Sequence, residues 1–272
     1  MPRSGAPRAG GSRATPLIRA LRSLLLAVLL AAPLVAAPAR AGELVIAAAA
    51  NLKYAVDELV AEFRGVRPDV EVKVTYGASG NFYAQISQRA PFDLFLSADS
   101  LYPRRLAEAG LALDDAAFRY ATGRLALWVP PGSALPVASR GLAALEDPRV
   151  KRIAIANPRH APYGSAAVEA LTALGLYDGV RDRLVLGENV GQAAQFAQSR
   201  VADAGFIALS LALSPPLAGG THYVVPAGLH APLEQAGVIL RRARDPDAAR
   251  AFRDFLLGER GRAVLGRFGY AP

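Results

Sequence analysis

Four short segments place small and polar residues just ahead of a helical pattern. They are Ala49-Ala50-Asn51, Gly77-Ala78-Ser79-Gly80, Ala161-Pro162-Tyr163-Gly164-Ser165 and Gly187-Glu188-Asn189-Val190-Gly191. The chemistry open to such turns is anion binding. The first N–H groups of a helix have no intrahelical acceptor and carry a partial positive charge. Each turn also has an ordinary use, because Asn51 and Ser79 are common capping residues and Gly77, Gly80 and Gly164 suit tight turns. None reads GxxxxGK[ST] or GxGxxG, so no nucleotide-phosphate loop is expected. It is the fourfold recurrence that carries the signal.

Other chemistries find less support. The three histidines, His160, His222 and His230, lack HExxH or HxxxH spacing, and His160 reads as a loop residue, exposed or bonded to backbone. Gly164-Ser165 lies outside a G-x-S-x-G frame, which removes the nucleophile elbow. Asp93 and Asp99 flank a strand, where capping explains them better than paired acid–base work. With no cysteine, thiolate catalysis, disulfides and iron–sulfur clusters are excluded. A secreted hydrolase is therefore the disfavoured alternative, and no cofactor is implied.

The elements that would position the turns alternate between strand and helix. Leu44–Ala49 is a short apolar strand, and Leu52, Ala55, Val56, Leu59, Val60 and Phe63 repeat at helical spacing. Val70, Val72 and Val74 alternate as a half-buried strand does. A second helix holds Phe82 and Ile86, Leu94–Leu96 is a strand, and Asp99 can cap a helix running towards Ala109. Alternation resumes with Arg124–Val129, a segment around Leu142–Leu145, Arg152–Ala156, a helix over 164–174, Leu184–Leu186, a helix over 191–199 and Ala204–Ile207. A strand at 236–241 and helices at 247–257 and 259–268 close the chain. This is an α/β pattern with mainly parallel sheets flanked by helices. In such sheets ligands bind at the carboxyl ends of strands, facing helix N-termini. Two turns come early and two late, which suggests two lobes closing on a small anion.

The overall charge points elsewhere until it is located. The 272 residues carry 31 Lys+Arg against 23 Asp+Glu, a formal +8 that would suit nucleic acid or an anionic membrane. Residues 1–41, however, hold six arginines, Arg3, Arg8, Arg13, Arg19, Arg22 and Arg40, and no acid. Leu24–Ala32 is an unbroken apolar run, and Ala39-Arg40-Ala41 offers small residues for cleavage. These are the parts of a secretory signal peptide. A membrane anchor would need about 20 apolar residues, and this run is shorter and stopped by Pro33. Cleavage after Ala41 is expected, leaving a nearly neutral product in the periplasm. No nucleic-acid partner is expected.

At the same turns the sequence resembles the periplasmic molybdate-binding proteins of ABC importers. The matching stretches are AAAANLKYAVDELVAEF (47–63), YGASGNFYAQISQRAPFDLFLSAD (76–99), NPRHAPYGSAAVEALTALG (157–175), GENVGQAAQFAQSRVADAGFI (187–207) and FLLGERGRAVLGRFGY (255–270). The resemblance implies the two-lobed periplasmic binding-protein fold, with lobe one over about 43–123 plus 237–272 and lobe two over about 124–236. It implies oxyanion contacts at Asn51, through a side-chain donor, at Ser79, through hydroxyl and N–H, and at the backbone N–H groups of Tyr163 and Val190. A tyrosine hydroxyl used by some relatives falls on Ala208, which has no donor.

The implied ligand suits the residues. Molybdate near neutral pH is a dianion whose oxygens only accept hydrogen bonds, and every implied contact is a donor. A protonated phosphate would want an acceptor, and no Asp or Glu occupies a contact position. The metal enters only inside the oxyanion, with no direct protein ligands. The implied partners are a membrane ABC permease and its cytoplasmic ATPase, with the binding protein a monomer. Tungstate and sulfate remain as alternative oxyanions. A ferric receptor would cluster tyrosines with a carboxylate, and Tyr54, Tyr83, Tyr163 and Tyr223 are not adjacent in sequence. An effector-binding regulator would need a DNA-binding module where residues 1–41 stand.

Overall fold

The computed structural model describes residues 42–114 and 116–272. The expected signal peptide and its cleavage site lie outside the described residues. Two five-stranded mixed sheets organise the chain. The first has the order β2-β1-β3-β10-β4, from β1 (Gly42–Ala49), β2 (Val70–Gly77), β3 (Leu94–Ser97), β4 (Phe118–Gly123) and β10 (Leu233–Ile239). The second has the order β7-β6-β8-β5-β9, from β5 (Leu125–Val129), β6 (Ile153–Ala156), β7 (Leu184–Gly187), β8 (Ala204–Ala208) and β9 (Thr221–Val224). The pairings among β1, β2 and β3, and among β6, β7 and β8, are parallel. β10 runs antiparallel to β3 and β4, and β5 antiparallel to β8 and β9. The chain passes from the first sheet to the second at Arg124 and returns between Val224 and Leu233.

Helices cover both faces of the first sheet, because β1 alternates which side it offers. Leu44, Ile46 and Ala48 face α1 (Lys53–Val66), whose Ala55, Val56, Leu59, Val60 and Phe63 are buried at helical spacing. The C-terminal helices α6 (Pro246–Leu257) and α7 (Glu259–Arg267) close that side, with the Phe63 ring 5.1 Å from Phe252. Ala47, Phe95 and Val238 face the other way, onto α2 (Ser79–Ser87) and α3 (Leu101–Glu108) through Phe82, Ile86 and Leu106. In the second sheet α4 (Pro162–Ala173) and α5 (Val190–Gln198) follow β6 and β7. Among the described residues no helix is long and apolar enough to cross a membrane.

Two details of the sequence reading shift, and one holds. β4 and β9 are strands that the hydropathy pattern does not announce. FRYATG is half polar and THYV sits on an exposed edge, so neither shows the clean alternation of a half-buried strand. The segment Gly141–Glu146 is a 3-10 helix. Asp93 and Asp99 serve the scaffold. Asp99 Oδ1 accepts the Tyr102 N–H at 3.0 Å at the start of α3, and Asp93 accepts the N–H groups of Val45 and Arg244 at 2.7 and 2.8 Å.

Candidate oxyanion site

Asn51, Ser79, Tyr163 and Val190 come together around one small cavity between the two sheets. Each stands where a strand of the parallel half has just ended. Asn51 lies in the 3-10 turn Ala50–Leu52 that follows β1, Ser79 opens α2 after β2, Tyr163 is the second residue of α4, and Val190 opens α5 after β7. Asn51 and Ser79 thus come from the first-sheet side and Tyr163 and Val190 from the second. A ligand touching all four would bridge the two halves of the fold.

The helix starts are built in an unusual way. Their N-cap positions are Ala49, Ala78 and Ala161, none of which has a side chain that can accept a hydrogen bond. Alanine at an N-cap is about 0.5–2 kcal/mol worse than Ser, Thr, Asp or Asn. In the fourth, the cap Asn189 accepts through Oδ1 from Gln192 N–H at 3.1 Å, a full turn in, so it does not engage the N–H of Val190. In α4, Pro162 has no N–H, which makes Tyr163 the first amide donor of that helix. These first-turn N–H groups have no intrahelical acceptor, and a bound anion is one way to satisfy them. Neither Asn51 nor Ser79 acts as the simple helix cap that its residue type allows.

Side chains refine the picture. Ser79 Oγ accepts the Ala98 N–H at 3.0 Å, which leaves its own proton to donate. Asn51 Nδ2 is committed elsewhere, donating to Gln235 Oε1 and Tyr270 Oη, each at 2.8 Å. What Asn51 offers the cavity is therefore its backbone N–H rather than the expected amide donor. The Tyr163 hydroxyl points away from the cavity, to the crossing between the sheets. A Cβ added at Gly123 would collide with it and would lie 2.7 Å from Gln235 Nε2, and neither Gly123 nor Gln235 lines the cavity. It does not replace the donor missing at Ala208.

The cavity wall consists of Ala, Gly, Pro, Val, Asn, Ser and Tyr residues, with no charged side chain. Lys53, two residues after Asn51, pairs with Asp57 at 2.5 Å. Any stabilisation of an anion here must come from oriented N–H and O–H dipoles. The cavity is small, which excludes an organic solute of any size. Asn51, Ser79, Tyr163 and Val190 are 1%, 1%, 2% and 4% exposed, so the cleft is largely shut.

Contacts across the mouth hold that closure. Gly80 N–H donates to the His160 carbonyl at 2.9 Å, and Asn81 Nδ2 to Glu188 Oε1 at 2.5 Å. His160 Nε2 lies 3.0 Å from the Glu188 carbonyl oxygen, so this histidine is a loop residue bonded to backbone. Among the described residues no group of three His, Cys, Asp or Glu could hold a metal ion. Sequence reasoning missed the lip residues Asn81 and Glu188 and the buried partners Gln235, Ser210 and Tyr270. Gln235 did leave a trace, since a glutamine within LEQAGVI interrupts an otherwise apolar strand.

Known proteins resemble this chain over most of its length. The family described as bacterial extracellular solute-binding protein matches residues 44–271. The molybdate-binding protein ModA of Azotobacter vinelandii is 39% identical over 249 residues, covering 90% of this chain and 96% of its own length. ModA of Rhodobacter capsulatus is 37% identical over 235 residues, covering 86% and 90%. The solved periplasmic molybdate-binding protein of Azotobacter vinelandii superposes with a TM-score of 0.78 at 34% identity, covering 84% of this chain and 99% of that one.

Proposed function

This chain belongs to the bacterial extracellular solute-binding protein family, and we propose that it captures molybdate, with tungstate as a second ligand, for an ABC importer. The observation that carries this reading is the convergence of four helix starts, three with alanine caps, on one small uncharged cavity. The Ser79 hydroxyl and the N–H groups of Asn51, Ser79, Tyr163 and Val190 are all donors. A fully deprotonated tetrahedral dianion can accept from every one of them, whereas a protonated oxyanion would leave one donor facing a proton, at about 1–3 kcal/mol. The chain is not an enzyme but the solute-binding component of a transporter.

Capture then couples to lobe closure. In our reading lobe one spans about 43–123 plus 237–272 and lobe two about 124–236. Because both lobes supply donors, the anion binds the closed form better than the open one and shifts the population towards it. The closed monomer would present its mouth to the membrane permease, whose ATPase drives import. Export through a signal peptide cleaved after Ala41 would place the protein in the periplasm.

Calorimetric titration of the mature protein with molybdate, tungstate, sulfate and phosphate tests the proposal. Micromolar or tighter binding of molybdate and tungstate, with phosphate excluded, is the expected result. Absence of molybdate and tungstate binding would overturn it, and a preference for sulfate would move the assignment to another oxyanion.

A further inference from the structure

Beneath the anion cavity the two sides of the fold share a buried polar cluster whose hydrogen bonds can be followed atom by atom. Gln235 Nε2 donates to the carbonyls of Ala98 and Leu233, both at 3.1 Å, which fixes its Oε1 as an acceptor. Asn51 Nδ2 must then be the donor to that oxygen, and its second hydrogen goes to Tyr270 Oη. Ser210 Oγ donates to the Asn51 carbonyl at 2.7 Å, and Tyr270 Oη stands 3.0 Å from the same carbonyl. Two atoms are left over. Among the described residues, Asn51 Oδ1 and Tyr163 Oη are the buried side-chain polar atoms without a hydrogen-bond partner. One is an acceptor and the other carries a proton, and they belong to residues from opposite sides of the cleft.

The placement of the phenol is specific. Tyr163 is fully packed, and its Oη occupies the space that a side chain at Gly123 would need, at the last residue of β4 before the chain crosses to the second sheet. Burial pushes the phenol well above its ordinary pKa, while the Asn51 side chain beside it pulls the other way. The hydroxyl thus keeps its proton throughout the physiological range.

Resting on the anion-binding reading above, we propose that Tyr163 is a positioning residue for capture: its O–H donates to Asn51 Oδ1 when the lobes close fully on the anion. The backbone N–H of Tyr163 faces the cavity while its phenol reaches the crossing, and Asn51 has the same two-sided arrangement. The bond joins two ligand-facing turns from opposite lobes. A hydrogen bond made in the closed form and absent from the open one lowers the closed state selectively, and apparent affinity rises by that factor.

Tyr163→Phe tests this, because it keeps the backbone N–H and the ring. Molybdate titration and stopped-flow dissociation are measured on wild type and variant, with melting of both anion-free proteins. The expected result is a Kd weakened by about 3- to 10-fold, carried by faster dissociation, with the anion-free melting temperature unchanged or raised. Unchanged affinity and dissociation rate, with or without a fall in melting temperature, would assign the phenol a purely structural role and overturn the proposal. If wild type itself bound no molybdate, the anion-binding reading would fall first.

Discussion

Replacing Ser79 with alanine removes two interactions whose consequences separate cleanly. The residue is buried, and its Oγ accepts the Ala98 N–H at 3.0 Å, which leaves its proton to donate to an anion in the cavity. Loss of a charge-assisted hydrogen bond to the anion corresponds to about 1.5–3 kcal/mol. That weakens Kd by about 10- to 150-fold. Independently, the buried Ala98 N–H loses its acceptor, which destabilises the anion-free protein by about 1–3 kcal/mol. Calorimetry reads the first effect and thermal melting without ligand reads the second. Ser87→Ala, on the exposed end of the same helix where Ser87 Oγ donates to the Tyr83 carbonyl, is the control and should leave affinity unchanged. If Ser79→Ala lowered the melting temperature but left Kd at the wild-type value, the hydroxyl would serve Ala98 alone, and Ser79 would leave the site.

Gly80→Ala should weaken binding without harming the anion-free fold. Its Cβ would lie 2.7 Å from the Tyr102 hydroxyl, the far end of a side chain that can give way, and 2.9 Å from the His160 carbonyl across the mouth, so most of the overpacking of about 1–3 kcal/mol would fall on the closed form. Titration together with small-angle scattering, showing incomplete compaction on adding molybdate, checks this, and wild-type affinity would refute it. Asn51→Asp should abolish detectable molybdate binding in calorimetry, since it removes both donors to Gln235 and Tyr270 and sets a negative charge beside the cavity. Burial raises the pKa of the introduced carboxyl, so its melting deficit should grow as pH rises above about 4, and a deficit independent of pH would contradict this. Tyr120, Tyr163 and Tyr270 all have phenol pKa values raised by burial. The unfolded chain would lose those protons near pH 10 while the folded one keeps them, so stability should fall as pH rises through about 10. Melting curves followed alongside tyrosinate absorbance check the sign, and a flat melting temperature across that range would refute it.

The strands and helices that carry the site were legible because their patterning and their burial agree. LVIAAA has no polar residue to expose, and Leu52, Val56, Leu59 and Phe63 leave one face for the sheet. β4 and β9 were not legible, since a half-polar six-residue strand and an exposed edge strand owe their state to their neighbours in the sheet. The same limit applies at Asn51. Its residue type announces a donor, yet Gln235, 184 positions away, decides where that donor points. The alanine caps were visible in the sequence as Ala49, Ala78 and Ala161 but read as mere small residues. Only the helix starts, once located, reveal that a usual capping side chain is missing where an N–H faces the cavity.

The central claim is that neutral dipoles from both lobes, and no cationic side chain, hold the anion. A crystal structure of the molybdate complex, with anomalous difference density collected at the molybdenum edge, addresses it directly. The account predicts a single strong peak between the 3-10 turn at Asn51 and the starts of α2, α4 and α5, with oxygens within hydrogen-bonding distance of Ser79 Oγ and the N–H groups of Asn51, Ser79, Tyr163 and Val190. A peak outside this cavity, or one with its oxygens on a lysine or arginine, would contradict it.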